Sequence, residues 1–253
     1  MRRFEGKTVI VTGGSSGIGE AASRAFSAEG ANVIIVCLPG EESGKKVAAE
    51  IAAAAGTAMV IESNIGNEED VKAMYAAAIK AYGRIDIFIG NAAAFDSYQN
   101  LLEVSGDLWK RVIDVNLTGA FYCMRNLIPH MIENGGGVIV FTCSIAGHIG
   151  GHGGAAYTVS KHGLLGLVRQ ITFDYGGKGI RCNSVSPGSV YTPLSAPWLD
   201  TGTAREKLAK TPYGDYGMPK DIAGAILFLA SDEAKFIYGT DLLADGGNLV
   251  RKW

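Results

Sequence analysis

Short apolar runs rich in β-branched residues alternate with segments of helical periodicity along the chain. The predicted strands span residues 8–11, 33–36, 58–61, 85–89, 138–142, 180–185 and 241–244. The first predicted helix ends near residue 28, and the others span residues 41–55, 68–82, 108–132, 155–175 and 221–230. Because the strands are apolar at nearly every position, both faces of the sheet are expected to be covered. The pattern therefore predicts an α/β fold, a doubly wound parallel sheet with helices on both faces.

No linker or repeat interrupts this alternation, so residues 1–253 are predicted to form one domain. An irregular stretch at 190–217 contains Pro193, Pro197, Pro212 and several aromatic residues. Long irregular segments inside a compact domain are often lids over a ligand site. Ligands of such sheets bind beyond the carboxyl ends of the strands, where the strand order reverses. We therefore expect the functional residues to follow the strands.

The composition narrows the class of function. The chain has 253 residues, 47% of them hydrophobic, which argues against intrinsic disorder. Its 23 basic and 25 acidic residues give a net charge of −2 without a basic run, so neither nucleic acid nor an anionic membrane is an expected partner. No apolar run approaches the ~20 residues of a membrane span, and the first residues lack a secretory signal. A soluble, cytoplasmic protein is expected.

A glycine-rich loop, Thr12-Gly-Gly-Ser-Ser-Gly-Ile-Gly19, joins the first predicted strand to the first helix. Gly13 allows a tight turn, Gly17 lets the backbone approach a pyrophosphate, and Gly19 permits close packing of helix and strand. The helix amino terminus adds N–H donors and the positive end of its dipole. Such loops also serve as plain turns, but the position at the first strand–helix junction favours nucleotide binding.

Tyr157 and Lys161 lie four residues apart near the start of a predicted helix, so their side chains share one helix face. A free phenol, with a pKa of about 10, exchanges protons poorly at neutral pH. A neighbouring ammonium favours the phenolate and suits the phenol to general acid–base work. The alternative is a half-exposed tyrosine beside a solvated lysine, because such pairs also arise by chance.

Two further polar residues stand in apolar surroundings. Ser144 follows the strand at 138–142, where its hydroxyl can hold a substrate oxygen. Asn116 lies within the helix at 108–132, although asparagine disfavours helix interiors and needs partners when buried. Its side chain either satisfies a neighbouring backbone carbonyl or anchors a water that relays protons to Lys161.

The motifs together resemble the short-chain dehydrogenases/reductases. The resemblance rests on the order and spacing of Gly13–Gly19, Asn91-Ala-Ala, Asn116, Ser144, Tyr157-x-x-x-Lys161 and Pro187-Gly188, and it covers about residues 5–248. It implies a Rossmann-type subunit that binds NAD(H) or NADP(H) and passes hydride between the nicotinamide and a secondary alcohol or ketone.

The resemblance also implies roles for individual residues. Tyr157 would be the acid/base, Lys161 would lower its pKa and hold the nicotinamide ribose, Ser144 would orient the substrate oxygen, and Asn116 would support a water relay. The implied cofactor contacts are Gly13, Ser15, Ser16, Gly17, Ile18, Gly19, Cys37, Asn64, Ile65, Asn91, Ala92, Tyr157, Lys161, Pro187, Gly188, Val190 and Thr192.

The choice between the two cofactors is not specified by the family pattern. An acidic residue that selects NAD often ends the second strand in this family, but Cys37 stands there, followed by Leu38 and Pro39. NADP-binding members tend to place a basic residue there or in the glycine loop, where this chain has Ser16. Because a 2′-phosphate needs Arg or Lys, the sequence favours NAD(H) slightly, unless Lys45 or Lys46 reaches the site.

Neither histidines nor cysteines predict a metal site. His148 and His152 are spaced four apart after Ser144, but no third ligand is evident, and contact of His152 with the substrate is the better interpretation. The cysteines are isolated, without a C-x-x-C pair, and are expected to be free, mostly buried thiols: Cys37, Cys123, Cys143 and Cys182.

Two alternatives to an oxidoreductase stay open. One is a regulatory or scaffolding protein that binds the cofactor without turnover, although no member of the catalytic set is missing. The other is an isomerase or dehydratase that retains its nicotinamide, although the chain has no large carboxy-terminal substrate domain. The resemblance also implies a homo-oligomer, commonly a tetramer joined through the long helices and the last strand, and the apolar Trp253 could pack on a neighbouring copy.

Overall fold

A computed structural model describes residues 2–250, so Trp253 lies outside the described residues. The strands, in chain order, are β1 (Thr8–Thr12), β2 (Asn32–Cys37), β3 (Thr57–Glu62), β4 (Ile87–Gly90), β5 (Gly137–Thr142), β6 (Ile180–Pro187) and β7 (Asp241–Ala244). They form one sheet in the order β3-β2-β1-β4-β5-β6-β7, and every neighbouring pair is parallel. The order reverses between β1 and β4, as the sequence predicts for a doubly wound sheet.

Helices connect the strands and cover the sheet. In chain order they are α1 (Gly17–Ala28), α2 (Glu42–Ala53), α3 (Glu68–Tyr82), α4 (Gly106–Ile113), α5 (Gly119–Glu133), α6 (Ala155–Tyr175), α7 (Ala196–Leu199), α8 (Gly202–Leu208) and α9 (Pro219–Ala230). Within residues 2–250 no helix combines the length and the apolar character that a bilayer crossing requires.

Alternate residues of each strand belong to two different apolar cores, because successive side chains of a strand point to opposite faces of the sheet. Ile10 of β1 joins the core formed with α3, α5 and α6, whereas Val9 and Val11 join the core formed with α1, α2 and α9. All three side chains are fully buried. The near-continuous apolar runs of the sequence are therefore explained by coverage on both faces.

Two sequence predictions need correction. The helix expected at 108–132 is divided, because a widened π-helical turn at Asp114–Thr118 separates α4 from α5. The stretch 190–217, expected to be irregular, contains the short helices α7 and α8. These are held by a small apolar cluster of Leu199, Ala204 and Leu208, which an aromatic-rich loop sequence does not reveal.

Candidate active site

A cavity of about 1280 Å³ lies beyond the carboxyl ends of the strands. This volume exceeds the roughly 300–1,000 Å³ of most small-molecule sites, so the cavity is large enough to hold more than a single small ligand. The predicted site residues in its lining are Gly13, Ser15, Ser16, Gly17, Ile18, Cys37, Asn64, Ile65, Asn91, Ala92, Ser144, Tyr157, Lys161, Pro187, Gly188, Val190 and Thr192. Gly19 and Asn116 were also expected at the site, but they do not belong to this lining.

The glycine loop is shaped by its backbone conformation and by close packing. Gly13 and Gly17 have φ angles of +63° and +53°, in the left-handed region that favours glycine. A Cβ on Gly19 would lie 2.1 Å from the carbonyl oxygen of Gly13, so only glycine fits there. Asn91 Nδ2 donates to the carbonyl oxygens of Thr12 (3.2 Å) and Gly13 (3.3 Å). Gly19 and Asn91 thus fix the loop, and Gly19 does so by packing against it from outside the cavity lining.

Helix α6 places Tyr157 and Lys161 on one face, as their spacing predicts. Lys161 Nζ lies 5.5 Å from the centroid of the Tyr157 ring and donates a 2.9 Å hydrogen bond to the carbonyl oxygen of Thr142. The Lys161 side chain is only 2% exposed, and burial lowers its pKa. Lys161 is therefore positioned by the end of β5 and the body of α6 together.

The Tyr157 phenol lies beside Ser144, which follows β5. Burial raises the pKa of Tyr157, while a hydrogen bond with Ser144 lowers it. Ser144 Oγ also accepts a 3.1 Å hydrogen bond from the backbone N–H of Ala146, which fixes the hydroxyl at the strand end. Burial is the dominant influence on the pKa of the phenol here. The lowering of that pKa by Lys161 therefore stays a prediction.

Asn116 lies in the π-helical turn, and both the oxygen and the nitrogen of its side-chain amide form hydrogen bonds with protein groups. Its Oδ1 accepts from the backbone N–H of Ala94 (2.7 Å), and its Nδ2 donates to the carbonyl oxygen of Ala94 (3.0 Å) and to Ser160 Oγ (3.0 Å). These bonds tie the loop after β4 to α6. Of the two interpretations offered by the sequence, pairing with a neighbouring backbone carbonyl describes this side chain, and the water relay stays a prediction.

Sequence reasoning missed Asp96, a fully buried carboxylate in the loop after β4. Its two oxygens accept hydrogen bonds from the backbone N–H groups of Gly154 (2.9 Å) and Tyr157 (2.8 Å), at the amino terminus of α6. A Cβ on Gly154 would lie 2.5 Å from the carboxylate, so glycine is required there. An aspartate 58 residues before its partner leaves no sequence signal.

An aromatic wall extends from Tyr157 towards α7. The Phe95 ring packs edge-on against both Tyr157 (5.0 Å between centroids) and Tyr98 (4.9 Å), and Tyr98 packs on Trp198 of α7 at 5.7 Å. Ser97 and Tyr98 have φ angles of +53° and +61°, which side-chain-bearing residues seldom adopt. The strained loop thus brings the Tyr98 ring to the helix at the cavity mouth.

The two loop histidines do not share a site. His148 Nε2 lies 2.8 Å from Asp241 Oδ2 of β7, whereas His152 lines the cavity. In the described part of the chain, no group of three or more His, Cys, Asp or Glu side chains is arranged to hold a metal ion. All four cysteines are free and buried.

Residues 13–248 match the family model described as enoyl-(acyl carrier protein) reductase. The chain belongs to the short-chain dehydrogenases/reductases. It is 40% identical over 250 residues to a 2,5-dichloro-2,5-cyclohexadiene-1,4-diol dehydrogenase of Sphingobium indicum, with 98% of each chain covered. It is 36% identical over 244 residues to a cyclohexanol dehydrogenase of Acinetobacter sp., covering 96% of this chain and 95% of the relative.

A solved structure agrees with this assignment. The protein in it is described as an NAD(P)-dependent gluconate 5-dehydrogenase from Beutenbergia cavernae, with NADP bound at low occupancy. The TM-score is 0.91 at 34% identity, with 97% of this chain and 98% of that chain covered. This chain belongs with these enzymes as an NAD(P)-dependent oxidoreductase that acts on alcohols and their ketones.

Proposed function

We propose that the chain interconverts secondary alcohols and ketones on a six-membered carbon ring, with NAD(H) as cofactor and Tyr157 as the acid/base. The observation that carries the proposal is the convergence of Ser144, Tyr157 and Lys161 beside an aromatic wall in the cavity that the glycine loop also lines. Relatives that act on ring alcohols support the choice of substrate.

The residues present fit a nicotinamide dinucleotide. The glycine loop and the amino terminus of α1 supply N–H donors for a pyrophosphate. Ser63 and Thr142 belong to the cavity lining, and their buried hydroxyl oxygens have no hydrogen-bond partner within residues 2–250, so the lining contains polar groups that the chain itself leaves unsatisfied. When bound, the dinucleotide supplies the hydride acceptor or donor.

The chain's own groups then handle the substrate oxygen and its proton. The Ser144 hydroxyl orients the oxygen, and the Tyr157 oxygen takes its proton during oxidation or returns one during reduction. Lys161 is held near the phenol by α6, and its ammonium group would favour the ionised form of the phenol. Asn116 and Asp96 keep the loop after β4 against α6.

The aromatic wall supports a ring-shaped apolar substrate, and Trp198→Ala tests this. Removing the indole from the cavity mouth is expected to raise KM for a cyclohexanol-type alcohol about tenfold, because a buried aromatic contact contributes roughly 1–2 kcal/mol. The kcat value should change little, since Tyr157 is not contacted directly. Steady-state kinetics are compared with a short open-chain secondary alcohol, whose KM should move less. An equal effect on both alcohols would contradict a ring subsite.

The pH dependence provides a second check. Burial raises the pKa of the Tyr157 phenol, so the neutral form predominates at neutral pH. The ionised fraction then grows as the pH rises. We therefore expect kcat/KM for alcohol oxidation to increase with pH through the neutral and mildly alkaline range. Ketone reduction uses the neutral phenol, which is abundant throughout that range, so its kcat/KM should not increase. Parallel profiles in the two directions would contradict the assignment.

We also propose a homotetramer. Exposed aromatic side chains support it: Phe121 on α5 and Phe173 on α6, the latter 86% exposed, and Phe236 close before the edge strand β7. Burial of these rings against another copy would remove a large apolar surface from water. A cytoplasmic location stays a prediction from the sequence.

A further inference from the structure

The end of β2 is the place where a dinucleotide fold commonly presents a carboxylate to the adenosine ribose. Here Cys37 occupies it, and its side chain is turned towards α2: a Cβ on Gly44 would lie 2.9 Å from Cys37 Sγ. Cys37 is 3% exposed, and burial raises the pKa of its thiol. The strand end itself therefore offers a neutral group that neither attracts a ribose strongly nor repels a phosphate.

A carboxylate reaches the same part of the cavity from the loop between β2 and α2. Glu41 precedes α2, is partly buried and lines the cavity. Ser15 Oγ, in the glycine loop, donates a 3.2 Å hydrogen bond to Glu41 Oε2, and Cys37 Sγ lies 4.0 Å from the Glu41 carbonyl oxygen. Glu41 is thus held by the glycine loop through its carboxylate and by the end of β2 through its backbone carbonyl.

The positive charge near this corner is that of Lys45, which is close enough to the Cys37 thiol to act on its pKa. Among the described residues that line the cavity, the cations are Arg111, Lys161 and Lys207, which lie on α4, α6 and α8. Lys45, a candidate partner for a 2′-phosphate, instead pairs with Glu42 at 2.7 Å on the exposed side of α2. A phosphate group beside Glu41 would therefore meet a negative charge, while the α2 cation near it, Lys45, is already paired with Glu42.

We propose that Glu41 selects NAD(H) over NADP(H) in this chain, replacing the acidic residue that the end of β2 lacks. Its carboxylate accepts hydrogen bonds from the ribose hydroxyls of NAD(H) and repels the 2′-phosphate of NADP(H). Ser15 orients the carboxylate for this contact. The inference rests on the proposed function, because it assumes that the glycine loop binds the cofactor.

The test compares Glu41→Gln with the wild type in titrations of tryptophan fluorescence with NADH and NADPH under identical salt and pH. The wild type should bind NADH more tightly. The substitution removes the charge and keeps the size, so the ratio of the NADPH Kd to the NADH Kd should fall about tenfold. Glu41→Arg should reverse the preference, because a guanidinium binds phosphate well. Glu41 makes no side-chain cap to α2, so folding should persist.

The matched control is Glu133→Gln, which makes the same change at the exposed carboxyl end of α5, outside the cavity lining, and should leave the ratio unchanged. A wild type that prefers NADPH, or a Glu41→Gln ratio within about twofold of wild type, would overturn the role of Glu41 while leaving the oxidoreductase intact. Failure of both cofactors to bind the wild type would overturn the proposed function and this inference together.

Discussion

Tyr157→Phe is expected to lower kcat for alcohol oxidation about a thousandfold while leaving the Kd for NADH nearly unchanged. Transfer of a proton by a positioned acid/base contributes roughly 10²–10⁴ in rate, and phenylalanine keeps the ring but not the exchangeable proton. The edge-on packing against Phe95 should persist, because it involves the ring alone. Steady-state kinetics and a fluorescence titration of the same preparation measure both quantities.

The matched control is Tyr175→Phe, which removes the same hydroxyl from the last turn of α6, outside the cavity lining. We expect its kcat to equal that of the wild type. Substantial turnover by Tyr157→Phe would remove the phenol from the mechanism. Loss of NADH binding together with activity would instead mean that Tyr157 acts through the architecture of the site.

Asp96→Ala is expected to have the second largest effect, on stability as well as on rate. The change leaves the buried N–H groups of Gly154 and Tyr157 without acceptors. An unsatisfied buried donor costs about 1–3 kcal/mol, so we expect the free energy of unfolding to fall by about 3–5 kcal/mol. Because the backbone of Tyr157 loses its anchor, kcat should also fall, by about tenfold to a hundredfold.

Urea denaturation and kinetics at a temperature where the variant is folded separate these two effects. Asp96→Asn keeps one side-chain oxygen as an acceptor, so its losses should be intermediate. Asp107→Ala, in the first turn of α4, removes an exposed carboxylate outside the cavity lining and should keep the wild-type kcat. Wild-type stability and kcat in Asp96→Ala would show that the carboxylate does not position Tyr157.

Much of the framework could be predicted from local pattern. Strands that are apolar on both faces and a glycine loop before the first helix are local features, and their predicted positions agree with the structure to within one or two residues at most ends. The spacing of Tyr157 and Lys161 similarly determines a shared helix face. The family resemblance then predicted which residues meet in the cavity.

The remaining features depend on contacts between distant segments. Helical periodicity continues through Asp114–Thr118, so the sequence does not reveal the widened turn in which Asn116 pairs with Ala94. Asp96 and Glu41 likewise look like ordinary loop or helix-start carboxylates. Asp96 becomes recognisable only when the fold brings α6 against it, and Glu41 only when the fold brings the glycine loop against it.

The most direct test of the account is a stoichiometric assay of the wild type with NAD⁺ and a cyclohexanol-type alcohol, measuring NADH by absorbance and ketone by chromatography. The account predicts one ketone for each NADH formed, at a rate that Tyr157→Phe nearly abolishes. Tight cofactor binding without turnover of any secondary alcohol or ketone would indicate a binding protein. Conversion of the substrate without net NADH would indicate an isomerase or dehydratase, and NADH consumption only with an enoyl thioester would contradict the alcohol–ketone reaction.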